Sequence, residues 1–178
     1  MTAPFSRTDT VLDPSFSEGI EDLPIEELRR RRDEAVAERD YQSYLRRLIQ
    51  ARQDYLQAER KRRDEGGAAP PSIEASVKAV LSSGPQGGGS RGEALKLQLP
   101  EQDMEEAERR LGEAFGEAVL DQPSSMTDEK LEREVAYANE AERRVSTDRT
   151  AVFRVHDRLQ EELKRRYMQD PSQATSTL

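Results

Sequence analysis

A stretch of nineteen residues occurs twice in this chain at a fixed separation, and that duplication limits the fold more than any other feature. Arg39 to Gln57, RDYQSYLRRLIQARQDYLQ, maps onto Glu142 to Gln160, ERRVSTDRTAVFRVHDRLQ, by a shift of 103 positions with no gap. Ser43 falls on Ser146, Arg46 on Arg149, Asp54 on Asp157, Leu56 on Leu159 and Gln57 on Gln160. Outward, Glu26 meets Glu129, Leu28 meets Leu131, Arg30 meets Arg133, and the run Lys61, Arg62, Arg63 meets Lys164, Arg165, Arg166. Thirteen of these 38 positions are identical, against ~4 expected by chance in so biased a composition. No Gly or Pro occurs from Ile25 to Glu65, and Gly66 with Gly67 ends the run. At 1.5 Å per residue such a helix is ~60 Å long, and it needs a partner helix along it.

Composition supports a helical, elongated protein over a globular one. Of 178 residues, 34% are hydrophobic and 36% charged, which is poor material for a broad core. The chain has no Cys and no Trp, so a disulfide framework and a thiolate metal site are both excluded. No apolar run approaches the ~20 residues of a membrane span, and MTAPFSRTD lacks a hydrophobic signal core, so a reducing cytoplasm is expected. A net charge of −8 argues against direct DNA binding, which usually needs a basic face. It leaves room for a small anion held by a few arginines.

The chain divides by composition into a disordered or loosely docked segment, 1–21, and a long helix, 22–65. A Gly, Pro and Ser-rich flexible linker follows at 66–99, then a short helix at 100–123, a second long helix at 124–169 and a polar tail at 170–178. Asp22 and Pro24 stand where a helix starts, and Glu26 and Glu27 suit its positive end. The short helix places Met104, Ala107, Leu111, Ala114, Phe115 and Ala118 at helical spacing and carries eight acids against two arginines between Glu101 and Asp121. That charge suggests mimicry of nucleic acid toward a basic partner. Ser125 or Thr127 is placed to cap the second long helix, and Pro171 to stop it.

Helical angles separate two faces. Tyr41, Tyr44, Leu45, Leu48, Ile49, Tyr55 and Leu56 fall within an arc of roughly 140°, and Tyr137, Ala141, Val145, Ala151, Val152, Val155, Leu159 and Leu163 within nearly the same arc. Each helix is expected to bury that stripe against the other, giving an all-α, antiparallel two-helix coiled-coil hairpin. Ser43, Arg46, Gln50 and Asp54 lie on the far side, as do Glu142, Ser146, Arg149 and Asp157. For one Arg or Asp a solvated face is the ordinary reading. Here the same polar residues recur while most packing positions differ, and two such copies on antiparallel helices suit a ligand that is itself twofold symmetric.

The two copies resemble the signature of the RsiG-type, cyclic di-GMP-dependent anti-sigma factors of actinobacteria: Glu, then Ser four on, Arg three on, Gln four on and Asp four on. The first copy reads Ser43, Arg46, Gln50 and Asp54, with Arg39 where the acid belongs. The second reads Glu142, Ser146, Arg149 and Asp157, with Phe153 where the glutamine belongs. The resemblance covers both long helices and says little about 1–21 or 66–121. It implies a non-enzymatic regulator that binds a dimer of cyclic di-GMP through these residues and then withholds a flagellar or sporulation-type sigma factor, WhiG, from RNA polymerase.

Residue chemistry agrees with that implication. An arginine fork suits a guanine O6 and N7 edge or a phosphate, and an Asp carboxylate accepts both N–H donors of the guanine Watson–Crick edge. Arg47 and Arg143 are further cations for the phosphates, Arg39 can pair with one, and Phe153 can stack on a base. His156, the only histidine, reads as a surface residue. No metal cluster, and no general acid with its base, stands out. The alternative is a purely structural coiled-coil adaptor or dimerisation module with no nucleotide ligand, in which the repeat preserves packing alone.

Overall fold

A computed structural model of the chain describes residues 7–66, 99–115 and 122–175. Its regular elements are helices: α1 (Arg7–Leu12), α2 (Pro14–Ser17), α3 (Ile25–Glu65), α4 (Glu101–Phe115), a 3-10 turn (Pro123–Ser125), α5 (Asp128–Gln169) and α6 (Ser172–Thr175). The all-α, two-helix expectation holds. The expected linker lies, from residue 67 to 98, outside the described residues, as do 116–121 and the last residues of the tail.

The helix ends follow local chemistry. Gly66 takes φ of 68° and donates its N–H to the Arg62 carbonyl at 2.8 Å, a left-handed stop that costs a glycine nothing. Thr127 caps α5, its hydroxyl oxygen accepting from the Lys130 N–H at 3.2 Å, with Asp128 and Glu129 in the first turn. Ser125 is not that cap: it lies in the 3-10 turn and donates to the Gln122 carbonyl.

The chain forms two units, residues 1–42 with 147–178, and residues 43–146. In the first, α3 and α5 run antiparallel, as Arg29 bonding Tyr167 and Arg32 bonding Gln160 show. The core joins Leu28 and Ala35 of α3 with Val152, Leu159 and Leu163 of α5, and a third layer is added by Val11, Phe16 and Ile20. The expectation of disorder or loose docking over 1–21 is therefore corrected: from Arg7 to Ile20 the segment is docked. Its apolar residues are too few and too irregular to show a period, yet each finds the same groove. Arg7 and Thr8 add a polar anchor, donating to the buried Glu38 carboxylate at 2.7 and 2.6 Å, which also accepts from Gln42 at 2.8 Å.

In the second unit the antiparallel pairing recurs, with Gln53 bonding Asn139 and Arg63 bonding Asp128. Leu45, Leu48, Ile49, Tyr55 and Leu56 are buried as the stripe predicts. α4 buries Ala107 and Phe115. Tyr137 departs from the expected stripe: it is 49% exposed and meets the Phe115 ring edge-on at 5.5 Å. The buried side of α5 here runs through Leu131, Val135 and Ala138 instead.

Each unit also closes with the same clamp. Glu59, wholly buried, accepts from Arg62 at 2.7 Å and Arg63 at 2.8 Å, and Arg63 then donates to the carbonyls of Pro123 and Met126 at 2.8 and 2.9 Å. In the other unit Glu162 accepts from Arg165 and Arg166, and Arg166 donates to the carbonyls of Ile20 and Glu21, both at 2.8 Å. The C-terminal end of each long helix thus holds the turn that leads into the other.

Candidate functional site

The motif residues sort into two constellations, one in each unit. In the second unit, Arg46 of α3 reaches α5: its Nε donates to Glu142 Oε1 at 2.8 Å and to Ser146 Oγ at 2.7 Å. Ser146 in turn donates to Glu142 at 2.9 Å, and Gln50 points its amide at the same carboxylate at 3.5 Å. These side chains are half-buried. Residues of the first copy therefore meet residues of the second across the helix pair. This corrects the expectation that both polar sets lie away from the packed face. Arginine and glutamate side chains are long enough to lean over the seam from its edge, which Cα angles do not show.

In the first unit, Arg39, Arg149 and Phe153 come together. The Arg149 guanidinium lies 4.5 Å from the Phe153 ring centroid and that of Arg39 5.7 Å from it. Arg39 also pairs with Asp40 at 2.9 Å. Asp157 is exposed, and its carboxylate lies 3.0 Å from His156 Nδ1. Asp54 belongs to the second unit and is exposed, with loss of hydration raising its carboxyl above the ordinary value. Ser43 is half-buried on the same turn of α3 as Arg46. Neither aspartate joins its neighbouring constellation.

The repeat relates these two constellations. Arg46 corresponds to Arg149, Gln50 to Phe153 and Glu142 to Arg39, so the second unit has an arginine–glutamate pair where the first has two arginines over a ring. A cavity of about 260 Å³ between α3, α4 and α5 is lined by Leu45, Ile49, Tyr137, Val145, Arg110 and Arg144, and no motif residue lines it. Among the described residues no group of three His, Cys, Asp or Glu is arranged to hold a metal ion. No described helix is long and apolar enough to cross a membrane.

Two groups escaped the sequence reading. Glu38 and Gln42, polar residues on and beside the apolar stripe, are buried under α1 and anchor it. The clamp acids Glu59 and Glu162 are themselves a matched pair in the repeat, each followed three and four residues on by arginine, and that spacing was the available signal.

Residues 14–81 match the RsiG-like family. That segment, well under half of the chain, is what is similar to the family. No curated protein matches the chain. The RsiG-like segment spans α2 and α3 and includes Arg39, Ser43, Arg46, Gln50 and Asp54, whereas Glu142 to Asp157 lie beyond it.

Proposed function

We propose that this chain is an anti-sigma factor whose affinity for its sigma factor is set by cyclic di-GMP. A pair of cyclic di-GMP molecules binds the repeated motif residues Ser43, Arg46, Gln50, Asp54, Glu142, Ser146, Arg149 and Asp157, with Arg39 and Phe153 as additional contacts. In that state the protein withholds a WhiG-type sigma factor from RNA polymerase in the cytoplasm and represses its transcription. The observation that carries this reading is the meeting of Arg46 and Gln50 with Glu142 and Ser146. A solvated face has no reason to repeat these residue types and then join the copies through hydrogen bonds. Their chemistry, an arginine fork with carboxylate, hydroxyl and amide beside it, is that of guanine and phosphate recognition.

Nucleotide and sigma factor then raise each other's affinity by the same factor, as linkage requires. The test is calorimetric titration of cyclic di-GMP into the chain, with and without the sigma factor, beside Arg46→Ala and Asp157→Ala. The expected result is saturable binding that each substitution weakens by at least about tenfold, the loss of one charge-assisted contact, and a sigma pull-down that depends on nucleotide. Absence of heat in both conditions would leave the Arg46–Glu142 knot as a packing device and favour the coiled-coil adaptor.

A further inference from the structure

The repeat gives the cavity of the second unit a counterpart in the first. Shifting its wall residues Ala141, Arg144 and Val145 of α5 back by 103 positions gives Glu38, Tyr41 and Gln42 of α3, and shifting Arg110 of α4 gives Arg7 of α1. In the first unit these residues fill one space. Glu38, Tyr41 and Gln42 are at most 3% exposed, and Arg7 pairs with Glu38 at 2.7 Å while its guanidinium lies 5.4 Å from the Tyr41 ring centroid. In the second unit alanine and valine stand for the acid and the amide. The Arg144 side chain, in the place of the tyrosine, is 76% exposed and pairs with Glu140 at 3.0 Å. Its departure into solvent leaves about 260 Å³ open beside Ala141 and Val145. Ile49 lines the cavity and is buried, as is its counterpart Val152, so the units share a floor and differ in what fills the space above it.

Arg110 lines that space as Arg7 does its counterpart, and Tyr137, with Phe115 edge-on at 5.5 Å, adds an aromatic wall. Arg110 pairs with Glu106 at 3.2 Å. An ion pair does not exclude a ring contact: a carboxylate takes the N–H edge of a guanidinium and a ring takes its planar face, and Arg7 makes both contacts at once. Around the rim Arg110 and Arg144 are balanced by Glu113 and Glu140, so no net charge selects an ion. An apolar cavity of ~150 Å³ takes a benzene molecule; this one has room for a ring with a short substituent. We infer that the cavity is a binding site for a small, uncharged molecule with one aromatic ring, seated as Tyr41 is seated in the first unit. The site involves none of the repeated polar motif and stands independently of the nucleotide reading.

The experiment titrates p-cresol, whose ring is that of a tyrosine side chain, into the full chain and follows the Leu, Ile and Val methyl groups by NMR. Cyclohexanol, benzoate and N-acetyltyrosinamide are compared with it. The expected result is a saturable shift of the Leu45, Ile49 and Val145 methyl signals with p-cresol. Cyclohexanol lacks a π-face, benzoate is charged and N-acetyltyrosinamide carries the ring on a peptide backbone, so each should bind more weakly. Arg144→Tyr returns the ring of the first unit to the cavity and should abolish the p-cresol shift without lowering the melting temperature. Arg110→Lys keeps the charge, loses the planar face and should weaken p-cresol about threefold, the size of one half-exposed cation–π contact, with cyclohexanol unchanged. Shifts that never saturate, that are as strong with cyclohexanol or benzoate, or that persist in a folded Arg144→Tyr variant would overturn the inference. Tighter binding of N-acetyltyrosinamide would overturn it too, by giving the cavity to a side chain of a partner protein. If Arg144→Tyr does not fold, the Arg110→Lys variant decides: a lowered preference for p-cresol over cyclohexanol supports the site, and an unchanged one removes it.

Discussion

Glu38 shows how one residue fixes a segment that composition leaves undefined. Its carboxylate is wholly buried and accepts from Arg7, Thr8 and Gln42, with the Arg7 guanidinium also 5.4 Å from the Tyr41 ring centroid. A buried acid stands only where its lone pairs are filled, and two of the donor residues, Arg7 and Thr8, come from α1, about thirty residues away in sequence. Glu38→Ala should cost about 2 kcal/mol, because it takes the carboxylate away from the Thr8 hydroxyl and the Arg7 guanidinium and removes one of the two acceptors of the Gln42 amide. Thr8→Val should cost about 1–2 kcal/mol, because the hydroxyl both donates to Glu38 and accepts from Gln42 at 2.9 Å. Urea titration followed by circular dichroism measures both; a change under a few tenths in Glu38→Ala would mean the N-terminal anchor is held by apolar contacts alone.

At the scale of elements, the repeated clamp explains why α3 and α5 end where they do. Hydrogen bonds from Arg62, and then Arg63, hold the Glu59 carboxyl down to about 2, and Arg165 with Arg166 does the same for Glu162. Both acids are buried. A carboxyl whose folded value is depressed contributes stability that is complete above its ordinary value near 4.5 and is lost as pH falls toward 2. The melting temperature should therefore fall through that window, and Glu59→Gln combined with Glu162→Gln should flatten the fall. An unchanged acid transition in the double variant would place the acid sensitivity elsewhere. Arg63→Ala and Arg166→Ala remove the same pair of roles, binding the acid and covering two carbonyls, so each should cost about 1–3 kcal/mol. The Glu-x-x-Arg-Arg pattern at 59–63 and 162–166 was present in the repeat, but a sequence shows only the local i,i+3 and i,i+4 pairs. The carbonyls that give the clamp its purpose lie in another part of the chain.

For the molecule as a whole, the first unit depends on a segment that is neither of the two long helices. Val11, Phe16 and Ile20 are buried against α3 and α5, and each such side chain is worth roughly 1.5–3 kcal/mol of burial before the cost of ordering the segment. A chain lacking residues 1–20 should show faster hydrogen exchange over 25–42 and 147–169, with 45–65 and 128–145 little changed. Equal protection in both forms would show that the N-terminal helices add nothing to that unit's stability.

The sequence by itself determined the helices and the repeat. Two runs free of Gly and Pro, one closed by Gly66 and the other opened by Thr127, each have one local solution, since backbone hydrogen bonds and capping are settled within four residues. The apolar arc on α3 was legible for the same reason, at Leu45, Leu48, Ile49 and Leu56. Only the tertiary structure decided which polar residues are surface and which are interior: Glu38 and Gln42 are buried because α1 covers them, and Tyr137 emerges because α5 turns Leu131, Val135 and Ala138 inward. It also decided that Arg46 meets Glu142 while Arg39 and Arg149 share Phe153. These contacts join residues about a hundred positions apart, and their geometry depends on the register of two helices and the reach of long side chains, neither of which a helical angle contains.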